Sequence, residues 1–160
     1  MVQSEIRLPL TGGCQCGASR YAVTAAPLTL YCCHCSECQA QSSSAFGMSM
    51  LVARDPLETD WSLLATWTRA TDSGNTLDCH FCPACGVRLF HVGRESPEIV
   101  SVKAGSLDEH GRLSPIGHIW TDSAQPWFRV PKDSLVSARD PGDMTAYIER
   151  FRETFGARFV

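Results

Sequence analysis

The sequence predicts a mainly β, antiparallel protein with one peripheral helix at its C-terminal end. Three observations predict it. Short apolar or alternating runs recur, separated by breaks such as Asp55-Pro56, Ser73-Gly74-Asn75 and Pro141-Gly142-Asp143. One stretch near the C-terminus changes to the 3–4 spacing of a helix. Nine cysteines fall into three groups that can tie separate segments together.

The elements follow in order. Ala18 to Thr24 alternates around Tyr21 and Val23 and is read as a strand. Ala45 to Val52 follows a serine run as a strand bearing Met and Phe. Ser62 to Arg69, Val87 to Val92, Glu98 to Ala104 and Ile116 to Thr121 are further short strands. The helix covers about 143–155: Asp143 can cap it, and Met144, Tyr147, Ile148, Phe151 and Phe155 form one apolar stripe. That stripe packs on the sheet. At 160 residues the chain is read as one domain.

Charge excludes some function classes. Fourteen basic residues face seventeen acidic ones, a formal net charge of -3. This argues against a nucleic-acid binder and offers no polybasic membrane anchor. Only Lys103 and Lys132 are lysines. No run approaches the ~20 apolar residues of a membrane span, and Met1 to Leu10, with Glu5 and Arg7, lacks a leader core. The expectation is a cytoplasmic protein with reduced thiols. An odd cysteine count also excludes a fully paired disulfide framework in one chain.

Cys82-Pro83-Ala84-Cys85-Gly86 is a C-x-x-C turn whose two thiolates can point at one ion. Gly86 tolerates the backbone angles such a turn demands. Cys14-Gln15-Cys16-Gly17 supplies the other half, since residues two apart in extended chain share a face. Four thiolates make a closed, structural zinc site.

Cys33-His34-Cys35-Ser36-Glu37-Cys38 is different. Cys33 and Cys35 share a face, and Cys38 returns through a C-x-x-C turn. Three thiolates leave a fourth position open, as catalytic zinc sites do. With Zn²⁺ they sum to -1, so the ion is a weak Lewis acid but soft enough to take a fourth sulfur. A thiol ligand is the expectation. Cys32 and His34 point to the opposite face, and Cys79 lies on the approach to the closed site. His34, Glu37 and His118 are candidates for moving a proton. Gln41, Ser43, Phe46 and Trp127 are candidates for lining a thiol or glutathione pocket.

Taken together, these residues resemble one family. Thr11-Gly12-Gly13-Cys14-Gln15-Cys16-Gly17, the Cys33 to Cys38 stretch and Phe81-Cys82-Pro83-Ala84-Cys85-Gly86 resemble, in order, the motifs of the glutathione-dependent formaldehyde-activating enzyme (GFA) family, also called the centromere protein V/GFA domain. Gly117-His118-Ile119-Trp120-Thr121-Asp122-Ser123, with Pro126-Trp127 after it, is similar to the family's C-terminal stretch. The resemblance runs from about residue 11 to 130. It implies an Mss4-like β fold stapled by zinc, with a structural zinc on Cys14, Cys16, Cys82 and Cys85 and a labile, catalytic one on Cys33, Cys35 and Cys38. It also implies carbon–sulfur lyase chemistry joining formaldehyde to glutathione. Gln39 stands where many members have a basic residue, and Ser42-Ser43-Ser44 where they often have a glycine. Cys32 and Cys79 fall outside the motifs.

The expected function is a zinc-dependent enzyme acting on thiol adducts of small carbonyl compounds, with two zinc ions per chain and glutathione or another thiol as co-substrate. A non-catalytic thiol carrier or a zinc-stabilised interaction module stays open beside it. A redox sensor on Cys32 and Cys33 ranks last, because adjacent cysteines form strained bridges. The expected partners are small molecules, with no nucleic acid and no membrane. The oligomeric state stays open, a homodimer being one option.

Overall fold

The computed structural model describes residues 5–160; residues 1–4, part of the segment read above as lacking a leader core, lie outside the described residues. Strands β1 (Leu10–Gly13), β2 (Arg20–Val23), β3 (Thr29–Cys33), β4 (Gly47–Ala53) and β5 (Leu57–Thr59) occupy the first third. They are followed by β6 (Ala65–Ala70), β7 (Thr76–Phe81), β8 (Arg88–Gly93), β9 (Ile99–Lys103), β10 (Gly117–Ile119) and β11 (Leu135–Val136). Helix α1 (Ser36–Ser42) lies between β3 and β4, and α2 (Thr145–Phe155) comes last. The small sheet has the order β1-β2-β5, the large one β11-β10-β3-β4-β9-β8-β7-β6. The protein is therefore mainly β with one long C-terminal helix, as the punctuated runs predict. No helix among the described residues is long and apolar enough to cross a membrane.

Several elements differ from the sequence reading. Strand β10 pairs with both β3 and β11 in parallel, so the large sheet is mixed and not wholly antiparallel. The chain returns to β3 only after a long excursion, and such a crossover permits parallel pairing where a hairpin cannot. The Ser62 to Arg69 run splits into one 3-10 turn at Trp61–Leu63 and β6. Helix α1 is absent from the sequence reading, which takes its residues as a turn and a loop; seven mostly polar residues carry no apolar stripe. Strand β3 was hidden for the converse reason. Four of its five residues are buried, so it shows no alternation.

The large sheet has two unlike faces. Leu30, Met50, Val102 and Phe90 follow one another across β3, β4, β9 and β8, each no more than 2% exposed. The same strands alternate, so the next row on the other side is Tyr31, Ser49 and Lys103, with Ser101 beside His91. One face is core; the other is polar. Tyr21 of the small sheet joins the core edge-on against Phe90, with ring centroids 5.2 Å apart.

Helix α2 covers the end of this core. Asp143 accepts hydrogen bonds from the Thr145 amide (2.9 Å) and hydroxyl (2.7 Å), so it does hold the first turn, although the helix proper begins two residues later. Tyr147, Phe151 and Phe155 are buried at the predicted spacing. Phe151 is 1% exposed and lies 5.0 Å from the Phe155 ring. Phe151→Ala is expected to cost about 3–5 kcal/mol in urea unfolding, the usual range for a buried Phe truncation, without changing metal content.

Candidate metal centres

The first centre joins the loop after β1 to the turn after β7. The sulfurs of Cys14, Cys16, Cys82 and Cys85 all lie within 4.8 Å of one another. Cys14 Sγ is 3.5 Å from Cys16 Sγ, which is 3.7 Å from Cys82 Sγ. Both turns depend on glycine: Gly17 (φ 80°) and Gly86 (φ 75°) take the left-handed backbone that closes each loop. The Ser19 amide donates to Cys14 Sγ at 3.2 Å. Burial opposes ionisation of Cys14, but that amide and the three neighbouring thiols outweigh it and draw its pKa down to about 6. The Ala18 amide favours the Cys16 thiolate, yet the crowding thiols push its pKa up to about 11. Four sulfurs this close compete for protons, and a divalent cation relieves that competition. A closed S4 set suits zinc.

The second centre forms where β3 runs into α1. Cys33 ends the strand, Cys35 caps the helix, and Cys38 is buried in its first turn. The three sulfurs lie within 4.8 Å of one another, with Cys33 and Cys35 3.5 Å apart. The Cys38 amide donates to Cys35 Sγ at 3.4 Å. Hydrogen bonds from the Cys33 and Cys38 thiols, then from that amide, then the Arg69 charge bring the Cys35 pKa down to about 2 against its burial. The Cys35 and Cys38 thiols, and then burial, push Cys33 upward. The set presents three sulfurs to a soft ion, with no fourth sulfur in the group among the described residues.

The two remaining cysteines stand apart from both groups. Cys32 lies beside Cys33 in the strand and is buried, which pushes its thiol up to about 12. Cys79 is fully buried, with Gln41 Nε2 3.9 Å from its sulfur. Gly47 starts β4 directly against the second centre, and a Cβ there would sit 3.3 Å from Cys38 Cβ. Gly47→Ala is expected to displace Cys38 and weaken metal binding at the second centre roughly tenfold, as lost supporting contacts do. Metal titration against a chelator checks this, with the first centre as internal control.

The second centre opens onto a cavity of about 160 Å³ that all three of its cysteines line. Lys103, Arg69 and His91 line it too, as do Glu37, Asp72 and Asp140. Lys103 Nζ donates to Ser49 Oγ at 3.1 Å. Burial lowers the Lys103 pKa, while the thiols of Cys38, Cys33, Cys79 and Cys35 push it back. Arg69 Nε lies 3.8 Å from a Glu37 carboxylate oxygen. A larger cavity of about 710 Å³ lies alongside, lined by Gln41, Phe46, Arg88 and Asp108 among others; Cys38 and Lys103 line both.

The candidate residues thus separate. Glu37 faces the small cavity, paired to Arg69. Gln41 and Phe46 line the large one. Ser43 does not, because it closes α1 in the left-handed conformation (φ 50°) and only its neighbours Ser42 and Ser44 turn inward. Trp127 is 69% exposed and lines neither cavity. His34 and His118 share a hydrogen bond of 2.9 Å inside a buried cluster with Phe46 and Phe128. Neither lines the two cavities. Burial lowers the pKa of both, that of His118 to about 4 with His34 adding to the effect.

Sequence reasoning missed Lys103, Arg69, His91, Ser49 and Ser101. A signal for Lys103 and Ser101 was present. In Ile99-Val100-Ser101-Val102-Lys103 the alternate positions carry Ser and one of only two lysines, which puts both on the polar face.

Residues 9–123 match a family model described as glutathione-dependent formaldehyde-activating enzyme. Among solved structures, the chain is similar to a crystal structure of a Rhodobacter sphaeroides protein, a structural-genomics target. The TM-score is 0.51 and the identity 22%, over 66% of this chain and 92% of that one. At that identity the likeness speaks for the fold.

Proposed function

The chain belongs to the glutathione-dependent formaldehyde-activating enzyme family, and from that premise we propose that it makes and breaks carbon–sulfur bonds in thiol adducts of small carbonyl compounds. Membership itself supports a glutathione-related, formaldehyde-activating function. The observation that carries the finer reading is that Cys33, Cys35, Cys38 and Lys103 line one small cavity.

Cys33, Cys35 and Cys38 would hold a zinc ion, which supplies a soft, weakly acidic site for a thiol sulfur. The larger cavity, about 710 Å³, is of the size that encloses small-molecule ligands. It receives the body of the thiol, with Gln41 and Phe46 on its wall. Lys103 supplies the polar chemistry. Its ammonium, held by Ser49, faces the space where the carbonyl oxygen gains negative charge as sulfur attacks carbon. A carbon–sulfur bond forms, the carbonyl electron pair moves to oxygen, and that oxygen takes a proton from Lys103, which the proton released by the thiol replaces. The reverse reaction returns it. The buried His34 and His118 pair has no part in this scheme. Glu37 orients Arg69. The proposal carries two zinc ions per chain and a reducing, cytoplasmic setting in which nine free thiols persist.

The test is exchange spectroscopy of glutathione with formaldehyde, with and without zinc-loaded protein. Accelerated interconversion of the free thiol and its hydroxymethyl adduct is expected. Glutathione is also expected to shift the visible spectrum of the cobalt-substituted protein. A spectral shift without acceleration would replace the enzyme by a thiol carrier; neither effect would sink both readings.

A further inference from the structure

The small cavity holds more unspent hydrogen-bond donors than a formaldehyde adduct can use. Lys103 has three ammonium hydrogens and spends one on Ser49. The Arg69 side chain is 10% exposed, and its Nε has no hydrogen-bond partner among the described residues, the Glu37 oxygen at 3.8 Å being too distant. His91 is 4% exposed, and its Nε2 is also without a partner among those residues. Ser101 Oγ, opposite His91 in the β8–β9 register, is a third such atom. All four residues line the same cavity as the cysteine triad. Buried polar atoms in native proteins are normally satisfied, so a group of unsatisfied ones around one cavity points to a ligand.

Charge balance alone does not account for them. Lys103 and Arg69 could merely offset the thiolates and Glu37, but the orphaned atoms of His91 and Ser101 add nothing to that balance. The acidic groups facing the cavity are Glu37, half-buried beside Arg69, and Asp72 and Asp140, both exposed. Asp72 and Asp140 therefore sit toward solvent, whereas the orphaned atoms of Arg69, His91 and Ser101 are themselves buried.

We propose that these buried donors form a carboxylate site, and that the carbonyl partner is a short 2-oxo acid of the glyoxylate type. The inference rests on the thiol-adduct reading above and names its substrate class. A formaldehyde adduct offers one oxygen. A glyoxylate adduct offers three, two of them acceptor-only and negatively charged. The thiolate sulfur bonds to the aldehyde carbon, the carbonyl electron pair moves to oxygen, and that oxygen takes the one proton that the thiol released. The carboxylate is unchanged throughout.

Two unreactive thioethers test this by calorimetry on the zinc-loaded protein. S-carboxymethylglutathione carries the carboxylate one carbon from sulfur; S-methylglutathione lacks it. The carboxymethyl form is expected to bind at least tenfold more tightly, the scale of a charge-assisted hydrogen-bond pair. Lys103→Met is expected to abolish the preference and His91→Phe to reduce it. If a variant loses metal, the comparison on the unmodified protein decides alone. Equal binding, or tighter binding of the methyl form, overturns the carboxylate site and leaves the thiol reading standing. Binding of neither also overturns it, and the cobalt spectrum with glutathione then reports whether the thiol reading falls as well.

Discussion

Cys82→Ser is expected to unfold the protein, while Cys35→Ser leaves it folded with one zinc ion in place of two. The asymmetry follows from what each cluster joins. Cys82 is fully buried and ties the end of β7 to the loop after β1, elements far apart in the chain. Structural zinc sites contribute on the order of 10–16 kcal/mol of coupled folding energy in small domains. That is comparable to the whole stability of a typical domain, about 5–15 kcal/mol. The second cluster is local: its three sulfurs lie within one strand end and the first turn of α1, so the backbone already holds them together. Circular dichroism melting with metal analysis of both variants gives the answer. Equal destabilisation would show that the first centre is no staple.

Turnover should respond the other way. Cys35→Ser is expected to lower adduct interconversion by two orders of magnitude or more, since it removes the position on which sulfur is held. Lys103→Met should lower kcat by about a hundredfold, a general-acid magnitude, and change the KM for thiol little. The split matters, because a Lys103 that only bound the thiol would move KM instead. His118→Gln should leave the rate nearly unchanged, although it disturbs a buried pair and lowers stability. A large rate loss in His118→Gln with zinc and fold intact would return the proton role to the histidines.

The two cysteine clusters were legible because zinc geometry imposes short spacings. A C-x-C pair needs only extended backbone and a C-x-x-C pair only a tight turn, so neighbouring residues in sequence suffice. The structure groups the seven cysteines as four and three in the same way. The strands with punctuated ends and the apolar stripe of α2 were legible for the same local reason. Strand β3, helix α1 and the parallel pairing of β10 were not. Each is decided by what packs against it.

The sequence by itself determined a mainly β chain with a C-terminal helix, the family to which it belongs, and two cysteine clusters of unlike completeness. These depend on interactions across a few residues, or on motifs read in order. Only the tertiary structure decided which polar groups meet the open cluster. Lys103, His91 and Arg69 come from β9, β8 and β6 and share one cavity because the sheet register stacks alternate residues of distant strands on one face. The histidines that looked chemical in sequence were drawn into an aromatic cluster on the other side of β3. A strand's two faces are set by its alternation, but what each face meets is set by pairing partners that lie tens of residues away.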